Sequence, residues 1–206
     1  MAGRGSAQPE LGPGSAEQGS EAGLRAFVGL GSNLGDRLAT LRSAVAALGR
    51  ELPGTRVVAA SSVYETRPLG PSEGAFLNAV VELRTGLRPA AVLGWLLEIE
   101  ARHGRERRRR WDARTLDLDL LVVLRETAGT WEAVRVDRDG VQVPHPEAKG
   151  RDFVLVPLVE LVGDAAVVEG RAPGAWLEEL AEGERTILRR WGAALWDEDG
   201  EVVQGG

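Results

Sequence analysis

The run Thr-Leu-Asp-Leu-Asp-Leu-Leu-Val-Val-Leu, from Thr115 to Leu124, constrains this chain more than any other segment. Its density of Leu and Val marks a strand, and side chains along a strand alternate faces. Leu116, Leu118 and Leu120 then point one way, and Asp117 and Asp119 the other. Two carboxylates side by side repel each other unless a cation lies between them, and hard oxygen ligands suit Mg²⁺. The plain alternative is that the acids form the water-facing side of a sheet. Any fold must bury one face of this strand and give the other face water or a cationic ligand.

The residues just upstream favour the ligand. Thirteen residues, Arg102 to Arg114, hold seven Arg against Glu106 and Asp112. An arginine run alone is usually solvated surface. Next to paired acids it offers what a magnesium-bound polyphosphate needs, because guanidinium forks match phosphate oxygens and stay charged at any working pH. The pattern points to a nucleotide triphosphate. Elsewhere the chain is not basic: its formal charge of -6 argues against a general binder of nucleic acid or anionic membrane. Cysteine is absent, which excludes disulfides and thiolate metal sites and agrees with a cytoplasmic protein. No apolar run approaches the roughly twenty residues of a membrane helix.

Periodicity orders the elements around that strand. Arg25 to Gly31 reads as a strand, and Asp36 to Arg50 as a helix with Leu38, Leu41, Val45 and Leu48 on one face. A second strand spans about Arg56 to Tyr64, a loop Glu65 to Ala75, and a third strand Phe76 to Leu83. Pro89 opens a second helix to Arg102, with Val92, Leu93, Leu96 and Leu97 inward. The order β-α-β-β-α-β predicts an α+β, ferredoxin-like fold: an antiparallel sheet with both helices on one face and the other face, or its rim, free for a ligand. C-terminal additions follow. Trp131 to Val136 and Val141 to Val143 flank Asp139-Gly140, as a hairpin or as a mobile surface insertion, and Pro173 to Glu182 suits a short helix. With 206 residues, one domain is expected over 24–190, between a disordered tail at 1–23 and a flexible tail at 191–206.

Several segments resemble the 6-hydroxymethyl-7,8-dihydropterin pyrophosphokinases of folate biosynthesis. The likeness is carried by Gly29-Leu-Gly-Ser-Asn-Leu-Gly35, Tyr64-Glu-Thr-Arg-Pro-Leu-Gly-Pro71, Phe76-Leu-Asn78 and Gly104-Arg105. It continues through Arg110-Trp111-x-x-Arg114-Thr-Leu-Asp-Leu-Asp119, Val143-Pro-His-Pro146 and Arg151-Asp-Phe-Val-Leu-Val-Pro157, in unbroken order over about residues 25 to 160. The resemblance implies transfer of a whole diphosphate from ATP to the pterin hydroxymethyl group, releasing AMP. It implies that Asp117 and Asp119 hold two Mg²⁺ and that Arg105 and Arg114 clamp phosphates. Arg107, Arg110 and Arg151 are further phosphate contacts by position, and His145 matches a histidine on the nucleotide. Phe76 and Phe153 would stack on the pterin, Asn78 would bond its edge, and the loop from Thr66 to Leu69 would line its pocket as a mobile lid.

Read from the residues alone, each Phe is better taken as a core side chain, and Trp111 stacks near the site or shields the strand start. An amide at 78 inside an apolar strand costs free energy unless satisfied. Glu100 and Arg102 read as a solvated helix face. The chain departs from the pattern at Gly140, where some members carry Arg, so Arg138 could take over a contact; it also lacks the glutamine many members have between Gly70 and Phe76. The stretch between Asp119 and His145 is longer than in compact members, which leaves Trp131 without a role.

Other classes fare worse. A G-x-G-x-x-G dinucleotide loop needs glycine at 34, which is Leu34. A P-loop fails because Lys149, the only lysine, has no glycine loop before it. An RNA-binding sheet lacks the aromatic strands it would stack bases on, aromatics being 5%. The resemblance implies ATP and the pterin as partners; no nucleic acid and no membrane are expected, and the expected state is a monomer.

Overall fold

The computed structural model describes residues 23–70, 74–104, 115–138, 140–163 and 166–196. The arginine-rich stretch 105–114, Asp139 of the expected turn, and most of both expected tails lie outside them. At the centre runs β1 (Leu24–Ser32), antiparallel to β4 (Phe76–Thr85) on one side and to β5 (Asp117–Thr127) on the other. Beyond β4 lie β2 (Thr55–Ala60) and β3 (Tyr64–Thr66). This is the expected ferredoxin-like order. One face carries α1 (Arg37–Glu51) and α2 (Pro89–Arg102). Leu41, Val45 and Leu48 from α1, and Val92, Leu96 and Ile99 from α2, pack on Ala26, Val28, Leu30, Leu118 and Leu120. The Asp36 carboxylate caps α1 by accepting the Ala39 N–H at 3.0 Å. Leu97, expected inward, is 40% exposed, because Ile99 completes the buried stripe instead.

The single strand expected from 56 to 64 is two. Ser61 breaks it, since its hydroxyl, rather than a strand carbonyl, accepts the Val80 N–H at 2.9 Å. The second sheet face is also less open than expected. Helix α3 (Asp152–Val162) lies across half of it, placing Val154, Leu158 and Val162 on Phe27, Val80, Val122 and Leu124. A short α4 (Pro173–Glu179) follows, within the expected 173–182.

The long stretch after Asp119 is not a loose insertion. β6 (Thr130–Ala133) folds back onto β5, so Trp131 belongs to that ribbon and not to the expected hairpin. The hairpin itself is β7 (Val136–Arg138) with β8 (Val141–Val143), and Val141 and Val143 are buried in the α1–α2 core. Trp131 lies under the guanidiniums of Arg25 and Arg84, at 5.1 and 4.9 Å. Both arginines pair with the buried Glu82 carboxylate, at 2.8 and 3.1 Å. The tryptophan thus covers an ion-pair cluster and keeps water from it. Among the described residues no helix is long and apolar enough to cross a membrane.

The C-terminal part closes the far edge. β9 (Ile187–Arg190) pairs with β3, the Trp191 N–H donates to Val63 O at 2.7 Å, and Leu195 is buried in the core. Trp191 and Leu195, within the stretch assigned to a flexible tail by sequence, are therefore tied to the fold. Asp152, 2% exposed, holds β9 to α3: Oδ1 accepts the Thr186 hydroxyl at 2.6 Å, and Oδ2 accepts the N–H groups of Thr186 and Ile187 at 2.6 and 2.9 Å. Across the same seam the Tyr64 hydroxyl donates to Glu160 of α3.

Two outcomes follow from this seam. Asp152→Ala strands three donors, two of them buried, and is expected to cost about 2–5 kcal/mol in urea denaturation; a loss below about 0.5 kcal/mol would show that water replaces the carboxylate. Tyr64, the one tyrosine, has its pKa pushed up to about 12 by burial first and then by the hydrogen bond and charge of Glu160. Its neutral form stabilises the fold fully below the ordinary value of 10.0, and that contribution is lost as pH climbs toward about 12. Phenolate absorbance should accordingly rise near the higher value, and Glu160→Gln should bring it down.

Candidate active site

From Asp117 to Leu121 every second residue of β5 faces away from the helices, which puts Asp117 and Asp119 on the open half of the sheet. Across the strand gap, Asp117 pairs with Gly31 and Asp119 with Gly29. On its other side Gly31 pairs with Asn78 of β4. The central strand therefore has no side chain between the acids and the amide. The space above Gly31 is already committed: a Cβ there would sit 3.0 Å from Asn78 Oδ1 and 3.8 Å from Asp117 Cβ. The glycines neither turn the chain nor form a phosphate loop; they form the floor of a cavity.

That cavity holds about 330 Å³ and is bounded by β1, β4, β5, the start of α3 and the segment Thr66–Gly70. Such a volume suits a small bicyclic molecule. Phe76 and Phe153 both line it, one from β4 and one from α3. Asn78, 7% exposed, is satisfied, since its Nδ2 donates to Thr66 Oγ1 at 2.8 Å. That bond orients the rest of the amide, as a buried polar group in a ligand wall requires. Leu69 is 47% exposed at the mouth.

On the acid side, His145 follows the cis Val143–Pro144 peptide and donates its backbone N–H to Leu121 O at 2.8 Å. Its Nδ1 accepts the Glu147 N–H at 3.2 Å, which leaves the proton on Nε2, 3.9 Å from Asp119 Oδ1. Arg151 also lines the cavity, with its guanidinium 5.9 Å from the Phe153 ring and 3.5 Å from Glu147 Oε2. Glu100 is not the solvated residue expected: it is 1% exposed, and its Oε1 accepts the Leu118 N–H at 2.7 Å, between the two aspartates. This carboxylate holds the unpaired edge of β5 and with it the spacing of the acids. Helical period carries the signal, since residue 100 lies one turn beyond the buried Leu96. Arg102 is exposed and pairs with Glu51.

The described site residues suit Mg²⁺ only in company. Among them no three His or acidic side chains gather as a closed metal cage. Two aspartates beside an open cavity are what Mg²⁺ uses when phosphates and water complete its shell. The structure thus brings together Thr66, Leu69, Phe76, Asn78, Asp117, Asp119, His145, Arg151 and Phe153. Arg105, Arg107, Arg110, Trp111 and Arg114 fall outside the described residues. Sequence reasoning missed Glu147 as a lining residue, because the Val143–Pro146 motif stops one residue short of it.

Known proteins agree with this arrangement. The profile of the 7,8-dihydro-6-hydroxymethylpterin-pyrophosphokinase (HPPK) family matches residues 27–163. Proteins named 2-amino-4-hydroxy-6-hydroxymethyldihydropteridine pyrophosphokinase are similar over two thirds or more of this chain. The one from Methylorubrum extorquens is 42% identical over 69% of this chain and 85% of its own length. Those from Haemophilus influenzae and Mycobacterium leprae are 37% and 46% identical, over 77% and 72% of this chain and 94% and 78% of theirs. A crystal structure of an HPPK-DHPS protein in complex with substrates superposes with a TM-score of 0.50 at 13% identity, over 76% of this chain and 43% of that one, which speaks for the fold alone. Taken with a cavity walled by paired aspartates, two phenylalanines and a buried amide, these matches show that the chain belongs to the 7,8-dihydro-6-hydroxymethylpterin-pyrophosphokinase family.

Proposed function

We propose that the chain transfers the diphosphate of ATP to the hydroxymethyl group of 6-hydroxymethyl-7,8-dihydropterin, giving the pterin diphosphate and AMP, a step of folate biosynthesis. The observation that carries this reading is the row Asp117, Gly31, Asn78 across three neighbouring strands. It opens a carboxylate and an amide onto one cavity with nothing between them.

In the reaction the acceptor hydroxyl oxygen bonds to the β-phosphorus as the bond from that phosphorus to the α-phosphate oxygen breaks. Charge spreads over phosphoryl oxygens, so positioning and cations matter more than a strong base. Asp117 and Asp119 would hold the Mg²⁺ ions, two in our reading, which supply positive charge where those oxygens gather it. Arg151 stands at the cavity edge as a phosphate contact, and His145 presents its Nε2–H toward Asp119 and the nucleotide side. On the other side Phe76 and Phe153 offer faces to a flat bicycle, and Asn78, oriented by Thr66, offers its amide to the edge. Leu69 and its neighbours wall the mouth. Arg105 and Arg114 as phosphate clamps, with Arg107, Arg110 and Trp111 near the nucleotide, complete the proposal from sequence likeness. We take a monomer, working in the cytoplasm where ATP is supplied, as the acting unit. The RNA-binding alternative loses its platform, because α3 covers half of the face on which bases would stack.

AMP release from ATP decides the matter. It should depend on both the pterin and Mg²⁺ and stop in EDTA, whereas ADP release would indicate an ordinary kinase. Asp117→Ala and Asp119→Ala should each lower kcat by about 10³-fold or more with the thermal midpoint nearly unchanged; near-normal turnover in either folded variant would falsify the metal assignment. Gly31→Ala should raise the pterin KM by about tenfold while sparing that of ATP, because its methyl displaces the Asn78 amide. An equal rise for both substrates would place Asn78 elsewhere than at the acceptor.

A further inference from the structure

Four side chains behind the sheet, none of them lining the cavity, meet at the ends of the connection between β3 and β4. Arg37, the first residue of α1, spans both ends: its Nη1 donates to Ala75 O at 2.8 Å and its Nη2 to Glu65 Oε1 at 3.1 Å. Arg189 of β9 donates from Nε to the other Glu65 oxygen at 2.7 Å. The Trp191 ring backs both guanidiniums, at 5.4 Å from Arg37 and 4.5 Å from Arg189. Glu65 pairs in register with the core residue Leu77, so its side chain lies on the helix face of β3, opposite the cavity. Its carboxyl is held below the usual carboxylate range by the Arg189 hydrogen bond first, then by Arg37, against the opposing effect of burial. The connection is held again just past β3, where the Arg67 N–H donates to Thr186 O at 2.9 Å and its guanidinium to Arg185 O.

These bonds converge on a short piece of chain with one evident task. Thr66, Arg67, Pro68, Leu69 and Gly70 wall the cavity, and Phe76, next to Ala75, lines it as well. A planar guanidinium presents its donors in a rigid fork that fixes the spacing of two acceptors, whereas an ammonium is a single point on a flexible stem. Ordering this wall before the ligand arrives removes an entropic cost from binding.

We propose that Arg37 is a positioning residue: with Glu65, Arg189 and Trp191 it holds the chain at Glu65 and at Ala75 from behind the sheet, and through the neighbouring Thr66–Gly70 and Phe76 sets the cavity's affinity for the flat organic acceptor without touching it. The inference rests on the reading that Thr66–Gly70 walls the acceptor. β9 and Trp191 lie outside the family-matched residues 27–163, so part of the clamp comes from beyond that region.

The test combines amide hydrogen exchange with a two-substrate KM split on the full chain, for Arg37→Leu, Arg37→Lys and Arg189→Leu. Arg37 and Arg189 are 23% and 61% exposed, so the fold should tolerate all three. Arg37→Leu should speed exchange at residues 66–70 but not in β1 or α1, and raise the acceptor KM by about tenfold with the ATP KM within about twofold. Arg37→Lys should rescue little. Arg189→Leu, which spares the bond to Ala75, should fall between wild type and Arg37→Leu. Unchanged exchange at 66–70 in Arg37→Leu overturns the clamp, as does an equal rise in both KM values. Should the wild-type protein fail to use the pterin, the function reading fails, while the exchange result still decides the clamp.

Discussion

The active end of this molecule depends on a strand that lacks side chains where its neighbours carry reactive ones. β1 is the middle of the sheet, hydrogen-bonded on both sides, and a middle strand normally fills both of its faces. Here Val28 and Leu30 fill the helix face while Gly29 and Gly31 leave the other face bare. The acids of β5 and the amide of β4 can then share one space. An alanine at 31 would meet Asn78 Oδ1 at 3.0 Å, so the glycine is a steric requirement of the site. Glu100 completes the arrangement from the helix side by bonding the Leu118 N–H.

Around that floor the walls are held by buried ionic contacts with dense hydrogen bonding. Asp152 accepts the backbone and hydroxyl of Thr186, and its neighbours in sequence are the cavity residues Arg151 and Phe153. At the other end of β1, away from the cavity, Glu82 gathers Arg25 and Arg84, whose guanidiniums lie over Trp131. Removing one partner from such a cluster leaves an uncompensated charge, so these groups specify geometry more than they add net stability.

Much of this was legible in the chain. The alternation at Asp117 and Asp119, the helix over residues 89–102 and the β-α-β-β-α-β order follow from periodicity, the strongest signal a sequence carries. What was not legible has physical reasons. α3 reads Asp-Phe-Val-Leu-Val-Pro-Leu-Val, apolar on every side, and such a run looks alike as a buried strand or a buried helix. The split after Ala60 turns on one hydroxyl, Ser61, which no pattern flags. Glu100 was misread because acids on helices are mostly solvated, although its place one turn from Leu96 was the clue. β9 is four residues of Ile, Leu and Arg whose pairing with β3 is set by Asp152 and Glu65, far away in sequence.

One irregularity in β5 reaches further than its size suggests. Between Phe27 and Val28 the register with β5 slips by one residue, so Leu121 is a supernumerary member of its strand and faces the same side as Val122. Leu121 is buried, lines the cavity and lies over the bare Cα of Gly29. It acts as a gasket between the wet, acidic half of the strand and the dry half under α3. Pairing with β1 does not use Leu121, so the extra residue of β5 serves the boundary between water and core and not the ladder.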